Sequence, residues 1–299
     1  MSGTKKLIVH PYILLLIAVL AVAVSSIMIK ASSSPTSVAG MYRLFMTVVI
    51  MLPIVPWKLI KTIRLSGKEW MILLSAGFFL GLHFLLWMES LRYTSVASSM
   101  VILSLQPFFV MIGAYFLFKE RITLGISICM AIAVAGSVVI AWGDIGLSQE
   151  AIWGDILSLL GTIAVAAYML AGQKISDKIP AYLYSVLVFF IGGFVMFLYN
   201  LAIQVPLTGY PSSEWMYFLL LAIIPTIFGQ LIFNLLLKHI GATTVSMGII
   251  GEPILAIIMA YIVLHETIGL SQAFGGVLTI MGMGMYFYLK SLALKPRIN

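Results

Sequence analysis

Continuous apolar runs of about twenty residues make up nearly the whole chain, and they constrain its fold more than any other feature. A helix needs about 20 residues to cross roughly 30 Å of hydrocarbon at about 1.5 Å per residue. Membrane barrels instead show alternating segments of about ten residues. The sequence therefore predicts an all-α membrane protein with ten transmembrane helices, over Pro11–Lys30, Thr36–Pro56, Trp70–Leu91, Ser95–Phe118, Ile122–Trp142, Trp153–Gly172, Ala181–Ile203, Glu214–Leu237, Ala242–Leu264 and Leu270–Leu289.

Composition excludes most other classes of protein. Of the 299 residues, 62% are hydrophobic and 9% are charged, whereas soluble domains are about 25% charged. No soluble core could bury so much apolar surface, which excludes a soluble enzyme and a nucleic-acid-binding domain. The single cysteine, Cys129, lies in an apolar run, and no cluster has metal-ligand spacing. We therefore expect the lipid bilayer as surroundings, with no disulfide, metal or cofactor.

Basic residues predict the orientation in the membrane. Of the 17 lysines and arginines, 14 fall on one side of the predicted helices, namely Lys5, Lys6, Lys58, Lys61, Arg64, Lys68, Lys119, Arg121, Lys174, Lys178, Lys238, Lys290, Lys295 and Arg297. Basic residues concentrate in cytoplasmic loops. We therefore predict a multi-pass protein of the bacterial plasma membrane with both termini in the cytoplasm. The net charge of +7 is then a mark of topology, not of an acidic partner.

The two halves of the chain resemble each other at a constant offset. Leu105–Phe108 matches Gly251–Ile254 at 146 residues, and Lys119–Ile122 matches His265–Ile268 at the same offset. Each half has five predicted helices, an odd number, so the second half enters the membrane in the opposite sense. Such inverted repeats are typical of secondary transporters, whose substrate site lies near the midplane. We predict a first repeat over residues 1–142, an extracytoplasmic linker over 143–150, and a second repeat with a short tail over 151–299.

Several motifs give the chain a recognisable family resemblance. They are Arg43–Phe45, Ser90–Ala97, Gln106–Pro107, Phe118–Thr123, Gly154–Leu159, Glu252–Pro253 and Leu264–Thr267. With these motifs in order, the sequence resembles the EamA family of the drug/metabolite transporter superfamily. The resemblance implies a ten-helix carrier of small metabolites, commonly an exporter, with amino acids among the family's substrates. The family often has tryptophan in its first and sixth helices, where this chain has Val22 and Val165, positions that we expect near the central cavity.

Glu252 is the candidate that is most costly to hold in a membrane. It stands about ten residues into its predicted helix, where a charge costs at least ~3 kcal/mol. Gln106 is its counterpart in the first half, and Pro107 and Pro253 follow the two residues directly. Proline leaves the carbonyl four residues earlier without its helical partner, so both helices are predicted to break near mid-membrane. Glu252 is a substrate or proton site in one interpretation and a structural hydrogen-bonding group in the other.

Arg43 lies within the second predicted helix, about 10 Å from the outer surface at ~1.5 Å per residue. Lys30 ends the neighbouring helix, and Glu89 lies near the same edge as a partner for either base. Arg43 and Lys30 could attract an anionic group of a substrate. The alternative is that both side chains only reach towards the interface.

Five further residues are candidates for the wall of a binding site. His83 can titrate near neutral pH, and Gln230 and Asn234 are four apart on one helix face. Trp87 is either an interfacial residue or part of a pocket, and Tyr168 is an aromatic wall or a packing residue. For the polar three the alternative is hydrogen bonding between helices.

These observations favour a secondary transporter. There is no nucleotide-binding loop and no arrangement of catalytic side chains, so we expect neither an ATP-driven pump nor an enzyme. We expect export of a small metabolite, such as an amino acid or a related polar or amphipathic solute, by alternating access. Protons are a candidate coupling ion, and a monomer is expected, with a homodimer left open. The alternative is a membrane scaffold or sensor without transport activity.

Overall fold

A computed structural model describes residues 7–55, 64–140, 148–255, 258 and 269–294. Its helices are α1 (Pro11–Ala23), α2 (Ser25–Ala31), α3 (Thr36–Met51), α4 (Gly67–Ser90), α5 (Val96–Leu103), α6 (Gln106–Phe118), α7 (Leu124–Ile140), α8 (Gln149–Ile175), α9 (Ala181–Ala202), α10 (Ser212–Leu221), α11 (Ile232–Ile240), α12 (Ala242–Ile249) and α13 (Leu270–Leu294). A 3-10 turn follows α3 at Leu52–Ile54, and a π-helix over Ala222–Leu231 joins α10 to α11.

The predicted all-α membrane fold is confirmed at the level of helices. Seven continuous stretches among the described residues are long and apolar enough to cross a membrane, and two shorter apolar helices accompany them. No β-strand occurs in the described ranges. The exact set of ten helices in two inverted repeats stays a prediction. Pro56, Trp142, most of the second half of the ninth predicted helix and the last residues of the chain lie outside the described residues.

Two helices begin earlier than the apolar runs suggest, because polar residues cap them. Ser66 accepts from the backbone N–H of Glu69, and the Glu69 carboxylate accepts from the backbone N–H of Ser66, which is a capping box. Ser148 caps α8 in a similar way through the N–H of Ala151. Helix starts therefore lie at Gly67 and Gln149 rather than at the predicted tryptophans, since side-chain caps satisfy the free N–H groups of the first turn.

The fourth and ninth predicted helices are both interrupted. Ser104 and Leu105 form a turn between α5 and α6, and residues 250–251 form a turn after α12, with the helix resuming at Glu252. One residue separates each turn from the proline that follows it. The residue before each turn lies four positions before that proline, so its carbonyl lacks the usual helical donor. Gln106 and Glu252 thus stand at equivalent positions, as the first residue of a resumed helix.

The helices pack in pairs that join distant parts of the chain. α4 packs along α8 and α9, α3 along α9, α1 along the π-helix, and α7 along α13. The backbones of α7 and α13 approach closely, because a Cβ on Gly282 would lie 2.5 Å from the backbone nitrogen of Ala133. Small residues permit such backbone contact, which provides packing where lipid and helix surfaces are equally apolar.

The loop between α2 and α3 is held against the start of α10 by one carboxylate. Glu214 is 3% exposed. Its oxygens accept from the Ser32 hydroxyl at 2.5 Å, the Ser33 hydroxyl at 2.9 Å, and the backbone N–H groups of Ser33 and Ser34 at 3.1 and 3.3 Å. A buried carboxylate is stable only when such donors replace water.

Candidate functional site

A small cavity lies at the centre of the bundle, between the two broken helices. Its volume is about 40 Å³. Six of the predicted site residues line it, namely His83, Gln106, Tyr168, Gln230, Asn234 and Glu252, together with the apolar residues Val22, Leu103, Val165, Met169, Phe233, Leu237 and Ile249. We call this space the central cavity. Six separate segments of the chain supply its wall, so the fold brings together residues that are far apart in sequence.

Glu252 is the buried acid of the central cavity. It is 2% exposed, and its Oε1 atom has no hydrogen-bond partner among the described residues. A buried carboxyl oxygen without a donor is costly, so this group is suited to receive one from a solute, from water or from its own proton. Its counterpart Gln106 is equally buried, but its amide nitrogen contacts the sulfur of Met169 at 2.7 Å.

His83 lines the central cavity and contacts the backbone of α8 through one ring nitrogen. Its Nδ1 lies 2.9 Å from the carbonyl oxygen of Gly161. Because a carbonyl oxygen only accepts, Nδ1 carries the proton, and Nε2 of the neutral ring is an acceptor. The ring stacks on Trp87 with centroids 5.8 Å apart and planes at 9°. Trp87 is 3% exposed, so its side chain lies inside the helix bundle, but it is not among the residues that line the central cavity.

A chain of hydrogen bonds crosses from α8 to α9 on one side of the cavity. The Tyr168 hydroxyl donates to Oδ1 of Asn234. The Asn234 amide donates to the Ser185 hydroxyl at 2.9 Å, and that hydroxyl donates to the carbonyl of Ala181 at 2.8 Å. Gln230, on the same helix face as Asn234, also interacts with the Tyr168 hydroxyl. Asn234 therefore has its partners within the protein, as expected for a group that joins helices.

Arg43 is fully buried but does not lie on the cavity wall. Its Nε donates to the Thr226 hydroxyl at 2.6 Å, and a terminal nitrogen donates to the Ser25 hydroxyl at 3.1 Å. The guanidinium also lies 4.4 Å from the centre of the Phe84 ring, a favourable cation–π distance. It forms no ion pair with a described carboxylate, although its charge interacts through space with Glu252.

Of the two basic residues that the sequence suggested as partners for Glu89, Arg43 forms no ion pair with it. Glu89 instead forms an ion pair with Arg92 at 3.2 Å and accepts from the Thr36 hydroxyl at 2.8 Å. Arg92 lies three residues after Glu89, so the two side chains are close neighbours. The Arg43 side chain instead donates to two hydroxyl groups inside the bundle. The Lys30 side chain lies outside the described part of the structure, so its predicted role stays a prediction.

A polar cluster joins the ends of three helices near the cavity, and sequence reasoning missed it. The Gln173 amide nitrogen donates to Glu120 at 3.3 Å, and its oxygen accepts from the backbone N–H of Ala242 at 2.6 Å. The Thr243 hydroxyl donates to the other Glu120 oxygen at 3.2 Å. We call these four residues the Gln173 cluster. The recurring Lys-Glu and His-Glu motifs were the available signal for Glu120.

The central cavity combines a few polar groups with apolar side chains. Among the described residues, no group of three His, Cys, Asp or Glu side chains is placed to hold a metal ion. The cavity offers the Glu252 carboxyl group, an imidazole acceptor and amide groups on an otherwise apolar wall. Val22 and Val165 lie on this wall, where they leave space that a larger side chain would fill.

The apolar helices and their buried polar centre are those of a multi-pass membrane protein. Residues 10–142 and 152–288 match the EamA-like transporter family, and the chain belongs to this family. The matched segments include every described residue that lines the central cavity.

Curated relatives are similar to this chain in sequence, and a solved structure shares its fold. The chain is 28% identical over 249 residues to the uncharacterized transporter sll1164 of Synechocystis, covering 77% of this chain and 69% of that protein. It is 23% identical to an uncharacterized transporter of Clostridium kluyveri, covering 75% and 74%. A solved crystal structure has the same fold, with a TM-score of 0.78 and 14% identity over 95% of this chain and 99% of that one.

Proposed function

We propose that this protein is a secondary transporter that exports a small metabolite, such as an amino acid or a related amphipathic solute, across the bacterial plasma membrane. The observation that carries the proposal is the unpartnered Oε1 atom of Glu252 in the central cavity, beside a helix break that has a counterpart at Gln106. Paired breaks at a midplane cavity are the usual setting of a transported substrate.

The pairing of helices supports an arrangement of ten helices as two inverted repeats. Helices about 145 residues apart in the two halves are counterparts of each other. The counterparts of α4 and α8 are the segments that contain the π-helix and α1, and these two segments also pack together. In the α3–α9 and α7–α13 pairs, the two packed helices are counterparts of each other. A pseudo-two-fold relation of this kind places equivalent residues of both halves at one central site.

The small volume of the central cavity supports alternating access. A cavity of about 40 Å³ has room for a few waters but not for a metabolite. In the proposed cycle a substrate therefore enters only when the helices separate. The Gln173 cluster joins helix ends at one end of the bundle, and the distribution of basic residues supports a cytoplasmic location for that end.

The cavity wall suits a solute with one charged or polar end and an apolar remainder. Glu252 would accept from a cationic group or hold a proton, and Nε2 of His83 would accept a second hydrogen bond. Val22, Val165 and Phe233 would contact the apolar part. We propose the proton as coupling ion, because Glu252 is a titratable group in a site reached from both sides in turn.

Transport into sealed proteoliposomes, with and without a pH gradient, tests the proposal. Radiolabelled amino acids and other small solutes are screened against the purified monomeric protein. We expect at least one solute to accumulate faster than in protein-free vesicles and to be competed by unlabelled solute. If no solute class moves above the protein-free rate, a scaffold or sensor is the better description. Glu150→Gln, a substitution of an exposed carboxylate on α8, is a control for loss of charge alone.

A further inference from the structure

We infer that Arg43 is a positioning residue that holds the π-helix Ala222–Leu231 in register and so determines which face of α11 lines the central cavity. The inference rests on the proposed transport for its functional meaning, but its geometry stands by itself. It assigns Arg43 a role through Thr226 rather than a direct contact with substrate.

Pro225 creates the need for this contact. Proline has no backbone N–H, so the carbonyl of Leu221, four residues earlier, loses its normal helical donor. The Thr226 hydroxyl donates to that carbonyl at 2.7 Å. The same hydroxyl oxygen accepts from Nε of Arg43 at 2.6 Å. In the π-helix the backbone N–H of residue 226 replaces the donor that Pro225 lacks, and Arg43 orients the hydroxyl group that adds a second donor to the same carbonyl.

A second side chain of α3 binds the next carbonyl of the same segment. The Thr47 hydroxyl, one turn from Arg43, donates to the carbonyl of Ala222 at 3.1 Å and to that of Arg43 at 2.7 Å. Arg43 and Thr47 are therefore two polar contacts from one face of α3 to the first turn of the π-helix. Carbonyls inside hydrocarbon need donors, and these contacts add donors to two carbonyls at the start of the wide helix, so they favour it over rearranged alternatives.

The π-helix controls the direction of every residue that follows it. Each residue inserted into an α-helix rotates the following part by about 100°. With the π-helix in place, Gln230, Phe233, Asn234 and Leu237 share the cavity face. If the same residues formed a regular α-helix, Ile232 would take the direction of Phe233, and Asn234 would turn away from Tyr168.

The surroundings of Arg43 agree with a structural contact to the helix. Its exposed fraction is 1%, and it is absent from the residues that line the central cavity. The Ser25 hydroxyl accepts a hydrogen bond from one terminal nitrogen of Arg43, and the Phe84 ring lies against the guanidinium group. A planar group held at several points is suited to fix geometry, since lysine cannot supply the same fork of donors.

Cysteine reporters on α11 test this register directly. Phe233→Cys and Ile232→Cys are made singly in a Cys129→Ala background. Each is then combined in turn with Thr226→Val, Thr226→Ser and Arg43→Lys. A small hydrophilic thiol reagent is applied to the protein in vesicles, and the reactivity of each introduced thiol is measured. With Thr226 intact, we expect the thiol at position 233 to react faster than the thiol at position 232. Thr226→Val and Arg43→Lys should reverse or equalise this order, and Thr226→Ser should restore it.

Thr279→Val is the matched control, because Thr279 is also buried and donates to a helix carbonyl, that of Gly275 at 2.9 Å, but lies outside the cavity. We expect Thr279→Val to leave the order of reactivity unchanged. If Thr226→Val also leaves it unchanged, the inference is wrong. Transport is measured in parallel, and we expect about a tenfold rise in KM for Thr226→Val, as for one lost wall contact. Labelling requires no transport, so a chain that moves no solute would refute the proposed function and still leave the register tested.

Discussion

The side-chain amide of Gln173 joins Glu120 to the start of α12, with its nitrogen 3.3 Å from Oε1 of Glu120. Its oxygen accepts from Ala242, whose N–H is one of those that a helix leaves free in its first turn. One residue of the second half therefore links helix ends contributed by both halves. These polar contacts join the ends of α6, α8 and α12.

Gln173→Ala should make the central cavity accessible from the side of the Gln173 cluster. Two hydrogen bonds at about 1 kcal/mol each shift an open–closed equilibrium by about 2 kcal/mol, or roughly 30-fold. The measurement is the labelling rate of Leu237→Cys by a membrane-impermeant thiol reagent in inside-out vesicles. Gln149→Ala, at the other end of α8, is the control. Equal labelling rates in the two variants would exclude a closing role for Gln173.

Glu252→Gln should separate substrate exchange from coupling to protons. The change keeps the shape of the side chain but removes the titratable group. We expect exchange of labelled for unlabelled substrate to survive, while accumulation driven by a pH gradient is lost. Both activities are measured in the same proteoliposomes. Full pH-driven accumulation by Glu252→Gln would leave Glu252 only a structural hydrogen-bonding role.

Single cysteines at Ser66 and Gln149 should label from opposite sides of the membrane. Ser66 precedes α4 and Gln149 begins α8. The distribution of basic residues predicts that these two helices cross the membrane in opposite directions. The Cys129→Ala background removes the only native thiol. The measurement compares an impermeant reagent on intact cells and on inverted vesicles. Labelling of both positions from one side contradicts the ten-helix topology.

Glu214→Gln should lower the stability of the folded protein. The carboxylate accepts from four donors of Ser32, Ser33 and Ser34, and an amide in its place turns one acceptor into a donor that faces other donors. Loss of such contacts costs about 1–3 kcal/mol. Thermal unfolding in detergent measures the effect, with Glu150→Gln as the exposed control. An unchanged unfolding midpoint would show that the Glu214 carboxylate does not stabilise the loop between α2 and α3.

Much of the helical fold could be predicted because lipid imposes one rule on every segment. Apolar runs must be helical, and Pro107 and Pro253 must disturb the helices that contain them. The ends were less predictable, since Ser66 and Ser148 extend α4 and α8 by caps that hydropathy does not detect. The π-helix around Pro225 depends on α3, about 180 residues away in sequence, so no local pattern could indicate it.

The candidate site shows the same division between local and distant information. Glu252, Gln106 and His83 could be selected because a polar group inside an apolar run has to be accommodated. The local sequence did not reveal that Arg43 binds Thr226 instead of facing the cavity. That distinction depends on which helix packs beside α3, and only the assembled bundle determines it.

In the proposed transport cycle, the small central cavity would also limit leakage through the protein. A space of about 40 Å³ has room for only a few waters, so an empty cycle would move almost no solvent across the membrane. Ions that keep a full hydration shell would not fit inside. A cell could therefore keep such a protein in its membrane without dissipating its ion gradients while the transported solute is scarce.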